Sequence, residues 1–295
     1  MQGLLLVDKP EGMTSFAAVA QMKRCFNEKR AGHTGTLDPM ATGVLPVLLG
    51  RATRLSSMML ESDKRYEAEL VLGITTDTLD ITGNVLTKVS HSVTIEEFEK
   101  TLEKFRGEIT QTPPMYSALK KDGVRLYDLA RQGIEVEREA RKVTIKKLDF
   151  LGVTDDGRFK IDVLCSKGTY IRTLADDIGK QLGCGAALGS LRRTFAGGFD
   201  ISDCTPLESI KESPQIYLFS ADRCVMHLPS VTVTDNQRNR FLHGGELFLS
   251  RLTFSRQTEK GESVRVYGAD GAFLGIGVLD ETQMRVQCVI YEGEF

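Results

Sequence analysis

The first apolar run, Gly3-Leu4-Leu5-Leu6-Val7-Asp8, predicts a strand, and Lys9-Pro10-Glu11-Gly12 turns out of it. Thr14 or Ser15 is placed to cap a helix whose apolar stripe is Phe16, Val19, Ala20 and Phe26. A glycine-rich stretch over residues 32–43 leads into an apolar run over 44–49. Residues 66–72 read Tyr-Glu-Ala-Glu-Leu-Val-Leu, the alternation of a half-buried strand. Thr94-Ile95-Glu96-Glu97 is a capping box, opening a helix with Ile95, Phe98, Leu102 and Phe105 on one face.

From residue 112 to 147 the pattern turns loop-like and basic, with a short helix near 126–131 that Gly133 stops. Strands are predicted over about 143–151 and 158–166, joined at Asp155-Asp156-Gly157. Thr173, Leu174, Ala175, Ile178 and Leu182 describe a helix that ends at Gly183. This order implies a mixed α+β domain. Beyond Pro229 the pattern changes to short strands over 263–267, 273–279 and 285–291, with turns at Asp270-Gly271 and Asp280-Glu281, and predicts a small β-barrel.

Composition narrows the class. With 41% hydrophobic residues, 26% charged residues and 8 Pro, the chain of 295 residues is neither disordered, collagenous nor a coiled coil. No apolar run reaches the ~18 residues of a membrane span, and the first residues lack the basic start of a signal peptide, so a cytoplasmic protein without membrane contact is expected. The 6 Cys form no C-x-x-C pair and have only 4 His beside them, which predicts reduced thiols and no metal site. The net charge of −2 is unevenly spread. Residues 201–295 hold 9 Lys and Arg against 13 Asp and Glu, whereas residues 114–147 hold 9 against 5. An anionic partner is therefore expected at the basic segment.

Four places can carry chemistry. Asp38 lies in Gly32-His33-Thr34-Gly35-Thr36-Leu37-Asp38-Pro39-Met40-Ala41-Thr42-Gly43, where Pro39 biases it away from the helical region and projects its carboxylate from a rigid loop. The plainer alternative is a surface turn whose aspartate bonds a nearby backbone N–H. Arg172, in Ser166-Lys167-Gly168-Thr169-Tyr170-Ile171-Arg172-Thr173-Leu174, can pair with such a carboxylate across two facing loops, or remain a solvated helix-start residue. Tyr66 follows Asp63-Lys64-Arg65, an aromatic beside basic residues that can stack a flipped base or simply half-bury its ring in a strand. Lys9 can hold a loop, contact phosphate or stay solvated.

Taken together, the run from Leu6 to Ser15 and the segment 32–43 resemble the two opening motifs of the TruB family of tRNA pseudouridine synthases. Ser62-Asp63-Lys64-Arg65-Tyr66, Pro114-Met115-Tyr116-Ser117-Ala118-Leu119-Lys120, Ala130-Arg131-Gln132-Gly133-Ile134-Glu135-Val136, the stretch from Cys165 to Leu174 and Leu191-Arg192-Arg193-Thr194 extend the match in order over about residues 3–200. The resemblance implies a mixed, mostly antiparallel catalytic sheet over residues 1–228, with an RNA-clamping insertion at about 112–145. A PUA-like β-barrel over 229–295 is implied more weakly, by Phe241-Leu242-His243-Gly244-Gly245-Glu246 and the glycine-separated strands.

What it implies about activity is the isomerisation of uridine at position 55, in the TΨC loop of tRNA, to pseudouridine without a cofactor, by a protein acting as a monomer without an obligatory protein partner. Asp38 would be the catalytic aspartate and Arg172 its ion-pair partner. Tyr66 would stack on the extruded base, and Tyr170 and Leu191 would line its pocket. His33 would help open the T-loop, Lys9 would support the catalytic loop, and Lys120, Lys121, Arg131, Arg141 and Lys142 would clamp the RNA arm. Two other readings compete: a non-catalytic protein that binds or folds tRNA, and a hydrolase of nucleoside glycosidic bonds.

Overall fold

A computed structural model describes residues 1–291 apart from 61, 118 and 122. The opening apolar run forms β1 (Gly3–Lys9), which pairs antiparallel with β3 (Thr42–Leu49) from Gly3↔Leu49 to Lys9↔Gly43. Between them lie α1 (Ser15–Cys25) and the short β2 (Ala31–His33), which adds to β3. Then come α2 (Ser56–Leu60), β4 (Lys64–Leu72), a hairpin of β5 (Ile74–Thr76) and β6 (Val85–Lys88), α3 (Ile95–Glu103) and β7 (Gly107–Gln111). The basic segment folds as a small hairpin of β8 (Lys120–Lys121) and β9 (Val124–Arg125), followed by α4 (Leu126–Arg131). Next are β10 (Arg141–Val153), β11 (Phe159–Cys165), α5 (Ile171–Leu182), β12 (Ala186–Ala196), β13 (Phe199–Asp200), β14 (Thr205–Pro206) and α6 (Leu207–Glu212).

Among the described residues, ten strands make one sheet, ordered β14-β1-β3-β12-β4-β11-β10-β7, with β2 beside β3 and β13 beside β12. Most pairs are antiparallel; β1–β14 and β12–β3 are parallel. Strand alternation explains the two cores. Leu5 and Val7 of β1 point to the face covered by α1, α3, α5 and α6, whereas Leu4 and Leu6 point to the other, where Ala52, Leu55, Met59, Ala221 and Val225 gather.

The C-terminal part contains β15 (Ser230–Val233), α7 (Asp235–Leu242), β16 (Leu247–Phe248), β17 (Ser263–Gly268), β18 (Phe273–Leu279) and β19 (Gln283–Val289) in a five-stranded sheet ordered β15-β17-β18-β19-β16. It has its own core of Val231, Phe241, Val264, Val266 and Leu274. Ile276 and Ile290 join the second core of the large sheet. Arg51 Nη1 donates to Tyr291 O (2.7 Å) and Arg54 Nη1 to Val289 O (3.0 Å), so the small sheet is held against the turn after β3.

Two expectations need correcting. On α1, capped by Thr14, the buried face is Ser15, Ala18, Val19 and Met22, while Phe16 is 78% exposed. The residues at 15, 18, 19, 22 and 26 share the buried face, and Phe16, one position on from Ser15, is turned off it. On α3 the capping box is present and Phe98 and Leu102 are buried, but Ile95 is 50% exposed.

Candidate active site

Asp38 sits in the irregular segment between β2 and β3, and several contacts fix that segment. The Ser15 hydroxyl at the start of α1 accepts from Leu37 N (2.8 Å) and donates to Leu37 O (3.1 Å). Ala41 N donates to Asp38 O (3.0 Å) and Gly12 N to Pro39 O (2.8 Å), which closes the turn against the loop after β1. Below it the fully buried Lys9 points its ammonium at the carbonyls of Pro10 (2.8 Å), Met13 (2.6 Å) and Pro39 (3.3 Å). Gly43 follows at φ +102, with β12 so near that a Cβ would stand 2.2 Å from Arg193 O. Only glycine allows this parallel contact.

Arg172 lies in the first turn of α5. A cation at a helix N-terminus opposes the macrodipole, so other groups must hold it there. Its Nε is 2.8 Å from Asp38 Oδ2 and its Nη2 3.2 Å from Oδ1, a two-point grip on the carboxylate. Nη2 also donates to Tyr116 O (2.7 Å), Nη1 donates to Thr78 O (3.0 Å), and Asp80 Oδ2 lies 3.8 Å from Nε. The Arg172 side chain is 5% exposed and that of Asp38 34%. The carboxylate is thus held on its buried side and open on the other.

That open side faces a cleft of about 270 Å³ whose walls include Asp38, Tyr66, Ser117, Arg141, Tyr170, Leu191 and Arg193. This is just below the roughly 300–1,000 Å³ of drug-sized sites, which suits one nucleobase. Tyr66 on β4 and Leu191 on β12 come from adjacent strands, with Tyr66 opposite Arg193 in the register. Burial pushes the Tyr66 phenol up, opposed by the nearby Arg193 guanidinium. Gln111 fixes Tyr170 by exchanging hydrogen bonds with its backbone N and O (3.0 and 3.3 Å). The Arg141 guanidinium stacks on the Tyr170 ring, 4.9 Å from its centroid, and bonds Gly168 O.

The structure therefore brings Asp38, Arg172, Tyr66, Tyr170, Leu191 and Arg141 to one cleft, with Lys9 beneath the loop. His33 is outside the lining; its Nδ1 accepts from Gly35 N (3.3 Å), and burial, then Arg193, lower its pKa, leaving a neutral ring with a proton on Nε2. Lys121 and Arg131 are exposed on the segment between β7 and β10, Lys121 donating to Glu137 O (3.0 Å) and Arg131 covering the Tyr127 ring. Arg141 and Lys142 are part of β10 itself, where Lys142 pairs with Glu108 (2.8 Å). The side chain of Lys120 lies outside the described residues. Among the described residues no group of His, Cys, Asp and Glu is arranged to hold a metal.

Sequence reasoning missed Asp80, Gln111 and Arg193. Asp80 had a signal: Thr75-Thr76-Asp77-Thr78-Leu79-Asp80-Ile81-Thr82-Gly83 is as dense in Thr, Asp and Gly as the Asp38 segment. Arg193 stands in the Leu191-Arg192-Arg193-Thr194 motif, which gave it no role, and Gln111 acts from a strand over a long sequence distance, for which spacing offers no cue.

Lys9 makes the site sensitive to pH. Burial lowers its ammonium to about 8, with Asp38 pulling it up and Arg193 pushing it down. Above that pH the neutral amine has two hydrogens for three carbonyls, and the turn holding Asp38 loosens. Turnover is expected to fall with a midpoint near 8, and a rate profile over pH should lose that limb in Lys9→Met. Stability runs the other way: the unfolded chain keeps the proton up to 10.5, so Lys9 favours folding more as pH rises from about 8 to that value.

Comparison with known proteins matches these features to one family. Residues 23–171 match the model "TruB family pseudouridylate synthase (N terminal domain)", 172–223 "tRNA pseudouridylate synthase B C-terminal domain", and 229–288 "Pseudouridine synthase II TruB, C-terminal". The chain is 48% identical over 295 residues to "tRNA pseudouridine synthase B" of Azoarcus sp. (strain BH72), covering 98% of this chain and 95% of that protein. It is 41% identical over 294 residues to the protein of that name from Clostridium perfringens (strain 13 / Type A), covering 99% and 100%. Among solved structures, a chain of a Cbf5-Nop10-Gar1 complex superposes with TM-score 0.75 at 26% identity, over 97% of this chain and 84% of that one. Family models that together span most of the sequence, and relatives this similar along nearly their whole length, lead to one conclusion: the chain belongs to the TruB family of pseudouridylate synthases.

Proposed function

We propose that this protein isomerises uridine to pseudouridine at position 55, in the TΨC loop of tRNA, with Asp38 as the reacting carboxylate. The observation that carries the reading is the Asp38 side chain itself, gripped from behind by Arg172 and open toward a cleft walled by Tyr66, Tyr170 and Leu191. The relatives' name, tRNA pseudouridine synthase B, supports tRNA as the substrate.

The reaction breaks the N1–C1′ bond, turns the base and joins C5 to the same carbon. A fixed, ionised carboxylate can attack C1′ as in retaining glycoside hydrolysis, or remove the C2′ proton on the way to a glycal. Arg172 fixes the direction of the carboxylate in both cases. The detached base must stay in place while water stays out, which the ring of Tyr66 and the side chain of Leu191 favour. A pure RNA binder has no use for an open carboxylate beside phosphates, which repels them; this weighs against the non-catalytic reading.

The base must first leave the T-loop stack, at a cost of a few kcal/mol. Contacts to the RNA backbone offset that, with Lys120, Lys121, Arg131, Arg141 and Lys142 clamping the arm and His33 entering the loop. We assign residues 1–228 to the catalytic unit, 229–295 to a PUA-like module that contacts RNA or mainly stabilises the fold, and a monomer to the active state. Changing Lys121, Arg131 and Lys142 together to Ala is expected to weaken T-arm binding and reduce the salt slope of log K by about two units, at ~0.7–0.9 per phosphate contact. Titrations at several salt concentrations read this directly; an unchanged slope removes these residues from the clamp.

The function itself is tested by incubating the purified protein with an unmodified T-arm stem-loop and mapping the product by mass spectrometry. Pseudouridine at position 55 supports the reading. Unmodified RNA rejects it, and release of free uracil points to the hydrolase.

A further inference from the structure

A third arginine of the cleft, Arg193, has no part in the chemistry described so far. It is 1% exposed, on β12, and all its hydrogen bonds go to neutral groups. Nε donates to Val44 O (2.8 Å), Nη2 to Gly35 O (3.1 Å) and Nη1 to Thr36 O (3.5 Å). Among the described residues it makes no ion pair. Its sequence neighbour behaves in the ordinary way: Arg192 is partly exposed and pairs with Asp8 (2.8 Å). A buried cation is expensive without a carboxylate, and a Leu or Met would fill a strand position at less cost. What sets Arg193 apart is its place. It is opposite Tyr66 in the strand register, it lines the cleft with Tyr66, Leu191 and Asp38, and it holds the two carbonyls that lead into the Asp38 turn.

The reaction produces a charge that such a group can meet. Whether the Asp38 oxygen bonds C1′ or removes the C2′ proton, the electron pair of the broken C1′–N1 bond leaves with the ring. The detached uracil is therefore an anion until C5 bonds C1′, as the Asp38 oxygen leaves C1′ or returns its proton to C2′; C5 then gives up its proton to water and N1 takes one from water. An anion enclosed with Tyr66 and Leu191, away from water, needs a fixed positive charge nearby.

We infer that Arg193 is a further positioning residue, whose unpaired guanidinium in the cleft wall stabilises uracil during the interval in which it is detached and anionic. This rests on the isomerase reading above. Arg193 acts through its field and through the Gly35–Thr36 carbonyls it holds, without being the reacting group. Its field already reaches the surrounding groups: it pushes Lys9 and His33 toward their neutral forms and opposes the rise that burial causes at Tyr66 and Cys204.

The test compares Arg193→Gln, which removes the charge and keeps a donor for the carbonyls, with Arg193→Lys, which keeps the charge. Each is given T-arm stem-loops carrying uridine or the more acidic 6-azauridine at the target position. A base that holds negative charge more easily depends less on the arginine. Arg193→Gln is expected to slow single turnover of uridine by about 100-fold, the scale of one lost oxyanion donor, with RNA affinity within about threefold, and to slow 6-azauridine by less than about 10-fold. Arg193→Lys should lose under about 10-fold on both. Equal losses on the two bases for Arg193→Gln, or a lysine variant as slow as the glutamine one, overturn the inference and leave Arg193 a structural strut. If the unsubstituted protein makes no pseudouridine, the functional reading falls and takes this inference with it.

Discussion

Asp38→Asn is expected to lower pseudouridine formation by at least about 10⁴-fold, the scale on which loss of a reacting group acts in covalent catalysis, with T-arm affinity unchanged within about threefold. The amide keeps the size and one acceptor of the carboxylate, so the turn closed by Ala41 N and Gly12 N stays intact. Lost are the negative charge and its paired contacts with Arg172. Removing one member of a buried pair costs about 3–5 kcal/mol. Here the cost should fall at or below the low end, since the Asp38 side chain is 34% exposed and Asp80 is 3.8 Å from the same guanidinium nitrogen. Binding held at full strength with turnover gone separates catalyst from binder; single-turnover rates and filter binding on the same stem-loop measure both. Turnover close to that of the unsubstituted protein would remove Asp38 from the chemistry.

Arg172→Lys is expected to slow turnover by about 10²–10³-fold. The substitution keeps the charge but loses the planar fork. One ammonium cannot grip both Asp38 oxygens and still reach the carbonyls of Tyr116 and Thr78, since the three partners lie on separate parts of the chain. Arg172→Ala should also destabilise the fold, because Asp38 and Asp80 then face each other without a cation and two carbonyls lose their donor. The lysine variant, checked by its thermal melt, isolates the catalytic part. If the two residues act as a unit, Asp38→Asn combined with Arg172→Lys should be little slower than Asp38→Asn alone. Additive losses, or a defect confined to RNA affinity, would contradict the pairing.

Local pattern made much of this fold readable. The alternation at Tyr66, Ala68, Leu70 and Leu72 matches β4, whose residues at those positions are buried. The capping box at Thr94 and the glycine at 183, which ends α5 at φ +80, are as expected. Such features depend on neighbours within four residues. In the stripe predicted for α1, Val19 and Phe26 are buried, but Phe16 is not, because the buried face runs through Ser15, Ala18 and Met22, and a ranking by hydrophobicity prefers Phe16 to Ser15 and Ala18. The parallel β12–β3 contact was also invisible, since it joins residues about 150 positions apart and is marked only by Gly43. The site shows the same division. Asp38, Arg172, Tyr66, Tyr170 and Leu191 stand in motifs dense enough to identify, and the cleft gathers them. Gln111 supports them from a strand position that looks ordinary in sequence, while Asp80 and Arg193 stand in dense or matching segments whose spacing does not show what they touch.

The most direct test of the central claim uses a T-arm stem-loop labelled with tritium at C5 of the target uridine. Forming the new C5–C1′ bond expels that hydrogen into water while the uracil stays attached to the RNA. The unsubstituted protein should release one tritium per modified site and no free uracil, and Asp38→Asn should release none over the same interval despite binding the RNA. Tritium release by Asp38→Asn at an undiminished rate, or free uracil in place of pseudouridine, would contradict a carboxylate acting on a trapped base in this cleft.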